Sequence, residues 1–280
     1  MPEGPEVKYL VDILNKEILN KKLKNIIILG GRYMKNKPPV NLNKLKFPLK
    51  IKSIKCKGKF IYFEFDKNEF IMFVTLGMSG WFIYENEKHN NIEFVFSKKS
   101  IFFNDYRNFG TIKFCTQNNL IKKLNCLGPD ILDITDNFNM FNDRLERKRN
   151  DTTIGRAIID QKVACGCGNY LRSESLYIAK INPFTKISTI KLKDRKLLWN
   201  ILKQLAWVYY DEKKGVKLGI INNKYKLYNL YKKKGPTKYK RDFGYFLVYR
   251  NDVDPFGNTI TREKIDGRMV HYVKKIQKLK

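Results

Sequence analysis

Apolar residues at positions 7, 10, 11, 14 and 18 (Val7, Leu10, Val11, Leu14, Ile18) fall on one face of a helix, so the spacing predicts an amphipathic helix following Pro5. Short runs rich in β-branched and aromatic residues come next: Asn25–Leu29, Ile51–Cys56, Phe60–Phe65, Phe70–Thr75, Trp81–Tyr84, Ile92–Phe96, Ile101–Asn104 and Thr111–Phe114. Turn residues separate them at short intervals, the rhythm of an all-β sandwich or barrel. Past Leu127 the period lengthens. Phe138, Phe141 and Leu145 suit one helix, Thr153 through Gln161 a second with Asp151 or Thr152 as its cap, and Asn169 to Ala179 a third. Leu197, Leu198, Ile201, Leu202, Leu205 and Val208 form an amphipathic stripe after Asp194. At the end, Thr259–Ile265 and Met269–Val273 flank Asp266-Gly267, a strong hairpin signal with Arg268 at its tip.

Length and charge sharpen this picture. The 280 residues suffice for two modest domains or one large one. No apolar run is long enough to span a bilayer, and Lys8 and Asp12 interrupt Val7–Leu14, so no signal-peptide core is present. A soluble, intracellular protein is expected. Lys and Arg total 56 against 27 Asp and Glu, a net charge of +29. Such an excess repels itself and attracts polyanions by counterion release, which makes nucleic acid the leading partner. No basic amphipathic helix supports a membrane surface instead. The odd set of five cysteines, Cys56, Cys115, Cys126, Cys165 and Cys167, argues for free thiols. Only His89 and His271 are available as imidazoles, too few for a histidine metal centre or a Ser-His-Asp triad.

Several stretches carry candidate chemistry. In Met1-Pro2-Glu3-Gly4-Pro5-Glu6, removal of Met1 leaves Pro2 as a secondary amine able to form an iminium with a sugar carbon, beside Glu3 as a proton shuttle. The same residues also suit a plain helix lead-in. Lys59 follows Gly58 just before a strand and could equally be a surface lysine. Leu76-Gly-Met78-Ser-Gly80 is a glycine-flanked turn exposing a methionine. Asp105-Tyr-Arg107-Asn-Phe109-Gly110 places an arginine and a phenylalanine two apart in a turn, suited either to wedging into a base stack or to packing. Gly166-Cys-Gly168-Asn169 leads into a helix whose amides could hold a phosphate, or simply turns a corner. Asn222 to Arg241, rich in Lys and Tyr, is a linker or a basic aromatic strip along a phosphate backbone.

Taken in order, Pro-Glu, Gly-Lys-Phe, Leu-Gly-Met-Ser-Gly, Asp-x-Arg-x-Phe-Gly, Leu127-Gly-Pro129 and Gly-x-Gly-Asn-x-x-x-Ser-Glu-Ser resemble the Fpg/Nei family of DNA glycosylases from end to end. The resemblance implies an α+β multidomain fold. Residues 1–128 would form an N-terminal catalytic β-sandwich with a flanking helix, 129–244 a helix–two-turn–helix domain, and 245–280 a β-hairpin finger. It implies Pro2 as the nucleophile at C1′, Glu3 as the acid/base and Lys59 as the catalytic lysine. Met78, Arg107 and Phe109 would fill the gap left by an extruded base. Lys162, Asn169 and Arg268 would hold DNA, Asn169 and Arg268 through phosphates. The iminium would permit β,δ-elimination. Extrusion costs a few kcal/mol of stacking, which inserted side chains offset in part.

The tail departs from the usual four-cysteine zinc finger. Residues 251–280 contain no cysteine. This resembles the zincless finger of endonuclease VIII-like members, held by packing among Phe256, Ile260, Ile265, Val270 and Tyr272, with no metal and no cofactor. Gly4 resembles the Nei branch, whose substrates are oxidised pyrimidines. The expectation is a bifunctional DNA glycosylase/AP lyase of base excision repair, monomeric, bound to damaged double-stranded DNA, with single-stranded DNA a further substrate form. The alternatives are an Fpg-type 8-oxoguanine glycosylase and a non-catalytic damaged-DNA-binding protein on the same scaffold. A helix-turn-helix transcription factor would leave the N-terminus unexplained.

Overall fold

The computed structural model describes residues 2–34, 37–135, 137–216 and 246–279. The Lys/Tyr-rich stretch 222–241 lies outside them. Two compact units form: Met1–Pro2 with Glu6–Cys126, and Glu3–Pro5 with Leu127–Lys280. The architecture is mixed α+β, with an N-terminal β-sandwich, a helical unit and a C-terminal β-hairpin.

In the first unit, helix α1 (Gly4–Ile18) buries the apolar stripe read from the sequence. One antiparallel sheet runs in the order β1-β3-β4-β5-β9, formed by Lys22–Leu23, Leu49–Lys57, Phe60–Phe65, Phe70–Thr75 and Thr111–Thr116. The other runs β2-β7-β8-β6, formed by Asn25–Ile28, Asn90–Val95, Ser100–Asn104 and Trp81–Ile83. Alternate residues of β4 and β8 meet in one core, where Phe82 lies 6.0 Å from Phe63 and 5.4 Å from Phe103, ring centre to ring centre. Such aromatic pairs add about 0.5–1.5 kcal/mol beyond the area they bury. Helix α2 (Gln117–Cys126) closes the unit. The sequence does not single it out: its apolar positions, Leu120, Ile121 and Leu124, span barely one turn, and Leu120 is its one buried residue.

In the second unit, α3 is Phe138–Glu146, α4 Ile154–Ala157, α5 Asn169–Ile178 and α6 Leu192–Lys213. Phe141 of α3 stacks on Trp199 of α6 at 4.7 Å. Helix α4 is shorter than the Thr153–Gln161 segment expected, and its cap is Thr153, neither Asp151 nor Thr152. Beyond Ala157 the side chains compete with the helix for backbone groups. Asp160 accepts from Lys162 N (2.9 Å), and Gln161 Nε2 donates to Ile159 O (3.0 Å) and Cys167 O (2.8 Å). Cys165 and Cys167 are fully buried as free thiols in that turn. The hairpin pairs β10 (Thr261–Ile265) with β11 (Arg268–Tyr272) around a two-residue turn in which Asp266 and Gly267 both have positive φ. Among the described residues no helix is long and apolar enough to cross a membrane.

Candidate active site

Positions flagged in the first unit sit on turns between strands. Lys59, half-buried, occupies the two-residue turn joining β3 to β4, where Gly58 supplies the positive φ. Met78 and Phe109 are exposed, at 41% and 53%. Their loops lie against each other: a Cβ on Gly77 (φ +60°) would come within 2.6 Å of the Phe109 carbonyl carbon, so only glycine fits. The Arg107 guanidinium lies 5.2 Å from the Phe109 ring centre, a cation–π pair.

Asp105, almost wholly buried, fastens the two loops. Its carboxylate accepts from Ser79 Oγ and from Gly110 N, the latter at 2.6 Å, while Ser79 Oγ accepts from Arg107 N at 3.2 Å. Asn91 Nδ2 donates to Asp105 O (3.3 Å) and Asn108 Oδ1 (2.9 Å). Nothing in the sequence marks Asp105 for this role, because its burial and its bond to Ser79 arise only in the fold.

Among the second unit's flagged positions, Glu3 is 2% exposed, and its carboxylate accepts from Tyr170 N (2.9 Å) and Leu171 N (3.3 Å) in the first turn of α5. The sequence leaves two readings for those amides, a phosphate site or a simple corner. They are taken instead, because a carboxylate at a helix N-terminus satisfies orphan donors and complements the helix dipole. Gly4 N donates to Gly166 O at 2.9 Å, and a Cβ on Gly4 would meet Gly166 Cα at 3.1 Å. Close backbone packing thus accounts for Gly4. Pro2 is half-buried next to this pinned segment. Gly128 of Leu127-Gly-Pro129 is equally confined, since its Cβ would lie 2.7 Å from Lys162 O. Lys162 itself is exposed.

Asn169 opens α5, half-buried. Its Nδ2 donates to Met269 O (2.8 Å), and its Oδ1 accepts from Arg172 Nη2. Arg268 is exposed and starts β11 beside the turn, opposite Ile265. The same helix face holds the C-terminal segment by further bonds that the sequence reading missed. The fully buried Glu174 carboxylate accepts from Leu247 N (2.8 Å), Val248 N (2.9 Å) and Tyr249 N (2.8 Å). Ser173 Oγ accepts from His271 N at 3.2 Å, and Tyr177 OH donates to Asp254 Oδ2 at 2.9 Å. Burial pulls the Arg172 guanidinium below its ordinary pKa. Burial, reinforced by Arg262, Arg250 and Arg172, pushes His271 down to about 4.

The side chains that fasten the finger segment, those of Asp254 and Gln277, are not placed as zinc ligands. Thiolate and imidazole are the usual donors of a structural site. Here the Asp254 carboxylate is already engaged by Phe256 N (2.9 Å), Asn258 N (2.7 Å) and Asn258 Nδ2 (2.9 Å) as well as Tyr177 OH. Gln277, fully buried, accepts from Val273 N (2.8 Å) and donates to Ile181 O (2.8 Å). Among the described residues no group of three or more His, Cys, Asp or Glu side chains is placed to hold a metal ion. Ile260, Ile265, Val270 and Tyr272 are buried as expected, but Phe256 is 46% exposed and takes no part in that packing.

Comparison with known proteins follows these features. Residues 1–112 match the formamidopyrimidine-DNA glycosylase N-terminal domain, and residues 127–214 match the formamidopyrimidine-DNA glycosylase H2TH domain. The formamidopyrimidine-DNA glycosylase of Ureaplasma parvum serovar 3 is 30% identical over 97% of this chain and 98% of its own length. That of Mycoplasma mobile is 29% identical over the full length of both. Among solved structures, the Lactococcus lactis Fpg protein in complex with a THF-DNA and an inhibitor is similar at a TM-score of 0.79 and 21% identity, covering 99% of this chain and all of that one. The MutM (Fpg) protein of Thermus thermophilus is similar at 0.76 and 22% identity over all of both chains. The chain therefore belongs to the formamidopyrimidine-DNA glycosylase family of base excision repair, whose members are DNA glycosylases with AP lyase activity.

Proposed function

We propose that this protein excises oxidised purines and ring-opened formamidopyrimidines from DNA and cuts the strand through a covalent iminium on Pro2. The observation that carries the mechanism is the anchored N-terminus: Glu3 is buried and bonded to two amides of α5, which fixes the backbone one residue from the Pro2 nitrogen. Fixing a reacting group in place removes entropy that would otherwise add to the barrier. In this reading the amine attacks C1′ as the glycosidic bond breaks and the base leaves, and Glu3 then protonates O4′ so that the C1′–O4′ bond opens to the iminium. The resulting iminium acidifies C2′, so the 3′ and then the 5′ phosphate depart by β,δ-elimination. Lys59, on its tight turn, assists at the sugar. Met78, Arg107 and Phe109 enter the stack, Lys162 holds DNA near the lesion, and Asn169 and Arg268 hold phosphates. Residues 1–128 act as the catalytic domain, 129–244 as the H2TH domain and 245–280 as a metal-free finger. The packed hairpin and the engaged Asp254 and Gln277 side chains support that last assignment.

The purine preference is supported by the names of the relatives, each a formamidopyrimidine-DNA glycosylase. Oxidised pyrimidines, suggested by Gly4, lose ground because Gly4 has a packing reason of its own against Gly166. A panel of duplexes carrying 8-oxoguanine, formamidopyrimidine, thymine glycol or 5-hydroxyuracil decides. Faster single-turnover excision of the purine lesions supports the proposal, and a reversed order returns the protein to the endonuclease VIII-like reading. Borohydride that traps no adduct on an abasic duplex would favour the non-catalytic alternative.

A further inference from the structure

Arg172 is fully buried, yet it carries a formal charge. Its guanidinium spans several elements. Nη1 donates to Gly155 O of α4 at 3.2 Å, and Nη2 reaches Asn169 Oδ1 on its own helix together with Arg268 O (3.4 Å) and Met269 O (3.3 Å) at the start of β11. Nε has no hydrogen-bond partner among the described residues. Burying a cation is costly, and packed apolar residues would often stabilise such a site as well or better. Stability alone is therefore a poor reason for an arginine here.

The bonding pattern supplies a better one. A guanidinium donates only, so the atom of Asn169 that faces it must be the amide oxygen. That fixes the amide's orientation. One Nδ2–H is then spent on Met269 O, and the other remains on a half-buried side chain to meet an acceptor such as a phosphate oxygen. The carbonyls of Arg268 and Met269 are drawn to the same helix, which holds the strand that presents the Arg268 side chain. An isolated two-stranded hairpin is marginal in water, and this one has a small core of Ile265, Val270 and Tyr272 backed by Phe184. The Arg156–Asp266 ion pair at the turn is largely exposed and contributes little.

We propose that Arg172 is a positioning residue for DNA binding: its buried guanidinium orients the Asn169 amide and clamps the Arg268 strand, so that both side chains meet backbone phosphate together. The inference rests on the DNA-lesion reading above. It goes further, because it assigns the phosphate-binding geometry to a residue that touches no DNA itself.

The test uses the full chain and a duplex containing a stable abasic-site analogue for affinity, with an 8-oxoguanine duplex for turnover. Losing hydrogen bonds to a charged group predicts a roughly 10- to 100-fold rise in Kd and KM for R172A, with kcat at saturation within about twofold. R172K, which keeps the charge without the planar fork, falls between. Methylguanidinium recovers part of the R172A affinity, whereas tetramethylammonium at the same ionic strength does not; the control is needed because salt itself weakens DNA binding. In the Asn169→Ala background R172A costs less than in wild type, as coupled groups do. Amide exchange in residues 261–272 speeds up in R172A. If R172A does not fold, R172K and R172M carry the same comparisons. Wild-type KM in a folded variant, or a loss confined to kcat with an unchanged hairpin exchange rate, overturns the proposal. A wild-type protein inactive on every duplex overturns the enzymatic reading instead, and affinity and exchange still judge Arg172.

Discussion

Replacing Asp105 with alanine tests how the two wedge loops are held. Asp105 is 1% exposed and receives the Gly110 amide at 2.6 Å and the Ser79 hydroxyl. Alanine strands the buried Gly110 N–H, at a cost of about 1–3 kcal/mol. The Ser79 hydroxyl is half-buried and can be rehydrated, so its lost bond adds about 0.5–1.5 kcal/mol. The sum, about 2–4 kcal/mol, is a substantial share of a domain's stability of about 5–15 kcal/mol. Asparagine behaves differently. With its oxygen toward Gly110 N and its amide toward Ser79 Oγ, which turns to accept, both bonds survive without the charge, and the expected cost is about 1 kcal/mol.

The functional effect follows from order. In the proposed mechanism Met78, Arg107 and Phe109 offset unstacking only if their loops are already fixed, and refixing a loose backbone costs about 1–2 kcal/mol per residue. Denaturant titration gives the stability change. Single-turnover excision from an 8-oxoguanine duplex and 2-aminopurine fluorescence beside the lesion report extrusion. D105A should slow excision at least roughly 10-fold, corresponding to about 1.4 kcal/mol, and weaken the fluorescence rise. Cleavage of a ready-made abasic site should suffer less. D105N should lie near wild type. A folded D105A protein with excision within twofold of wild type would refute the reasoning.

His271 makes stability depend on acidity. Its imidazole is neutral when folded down to about pH 4, whereas the unfolded chain takes up the proton near pH 6.5. Nothing is lost above pH 6.5; stability falls as pH drops from there toward 4, by at most about 3 kcal/mol and by about 1–2 kcal/mol after solvent screening. Denaturation midpoints of wild type and His271→Asn between pH 7 and 4.5 should diverge, and parallel curves would contradict the shift. Gly4→Ala forces a methyl against Gly166 and should cost about 1–2 kcal/mol by thermal denaturation without changing lesion preference; a changed ratio of purine to pyrimidine excision would reinstate Gly4 as a specificity marker. Gln277→Ala removes bonds to Val273 N and Ile181 O and should destabilise by about 2–3 kcal/mol. Dialysis against a strong chelator should leave the wild-type melting temperature unchanged, and a clear drop would show a bound metal.

Most strands of the first unit were legible as short β-branched and aromatic runs between turn residues, even where, as in β5, both faces are buried, and the Asp266-Gly267 turn announces itself by residue type. Helix α6 was legible from its stripe. Helix α2 was not, since Leu120, Ile121 and Leu124 span too short a stretch to tell a helix from a loop. The length of α4 depended on the Asp160 and Gln161 side chains folding back, which apolar spacing does not record. At the candidate site, Lys59, Met78, Arg107 and Phe109 stand out through the joint order of their motifs, which resembles the Fpg/Nei family; each turn taken alone suits an ordinary surface or packing position. Glu3, Asp105, Arg172 and Glu174 act through partners distant in the chain or hidden by burial. The chemistry of Glu3 is visible in the sequence, but its bond to α5 joins residues far apart in the chain, and nothing in the sequence gives Arg172 a role.

The central claim is that the Pro2 nitrogen forms the covalent bond to DNA. Borohydride trapping on an abasic duplex, followed by proteolysis and mass mapping of the adduct, tests it directly. The account predicts an adduct on the N-terminal peptide at Pro2, abolished when the chain is extended ahead of Pro2. An adduct on Lys59 or another lysine, or efficient trapping by the extended protein, would contradict it.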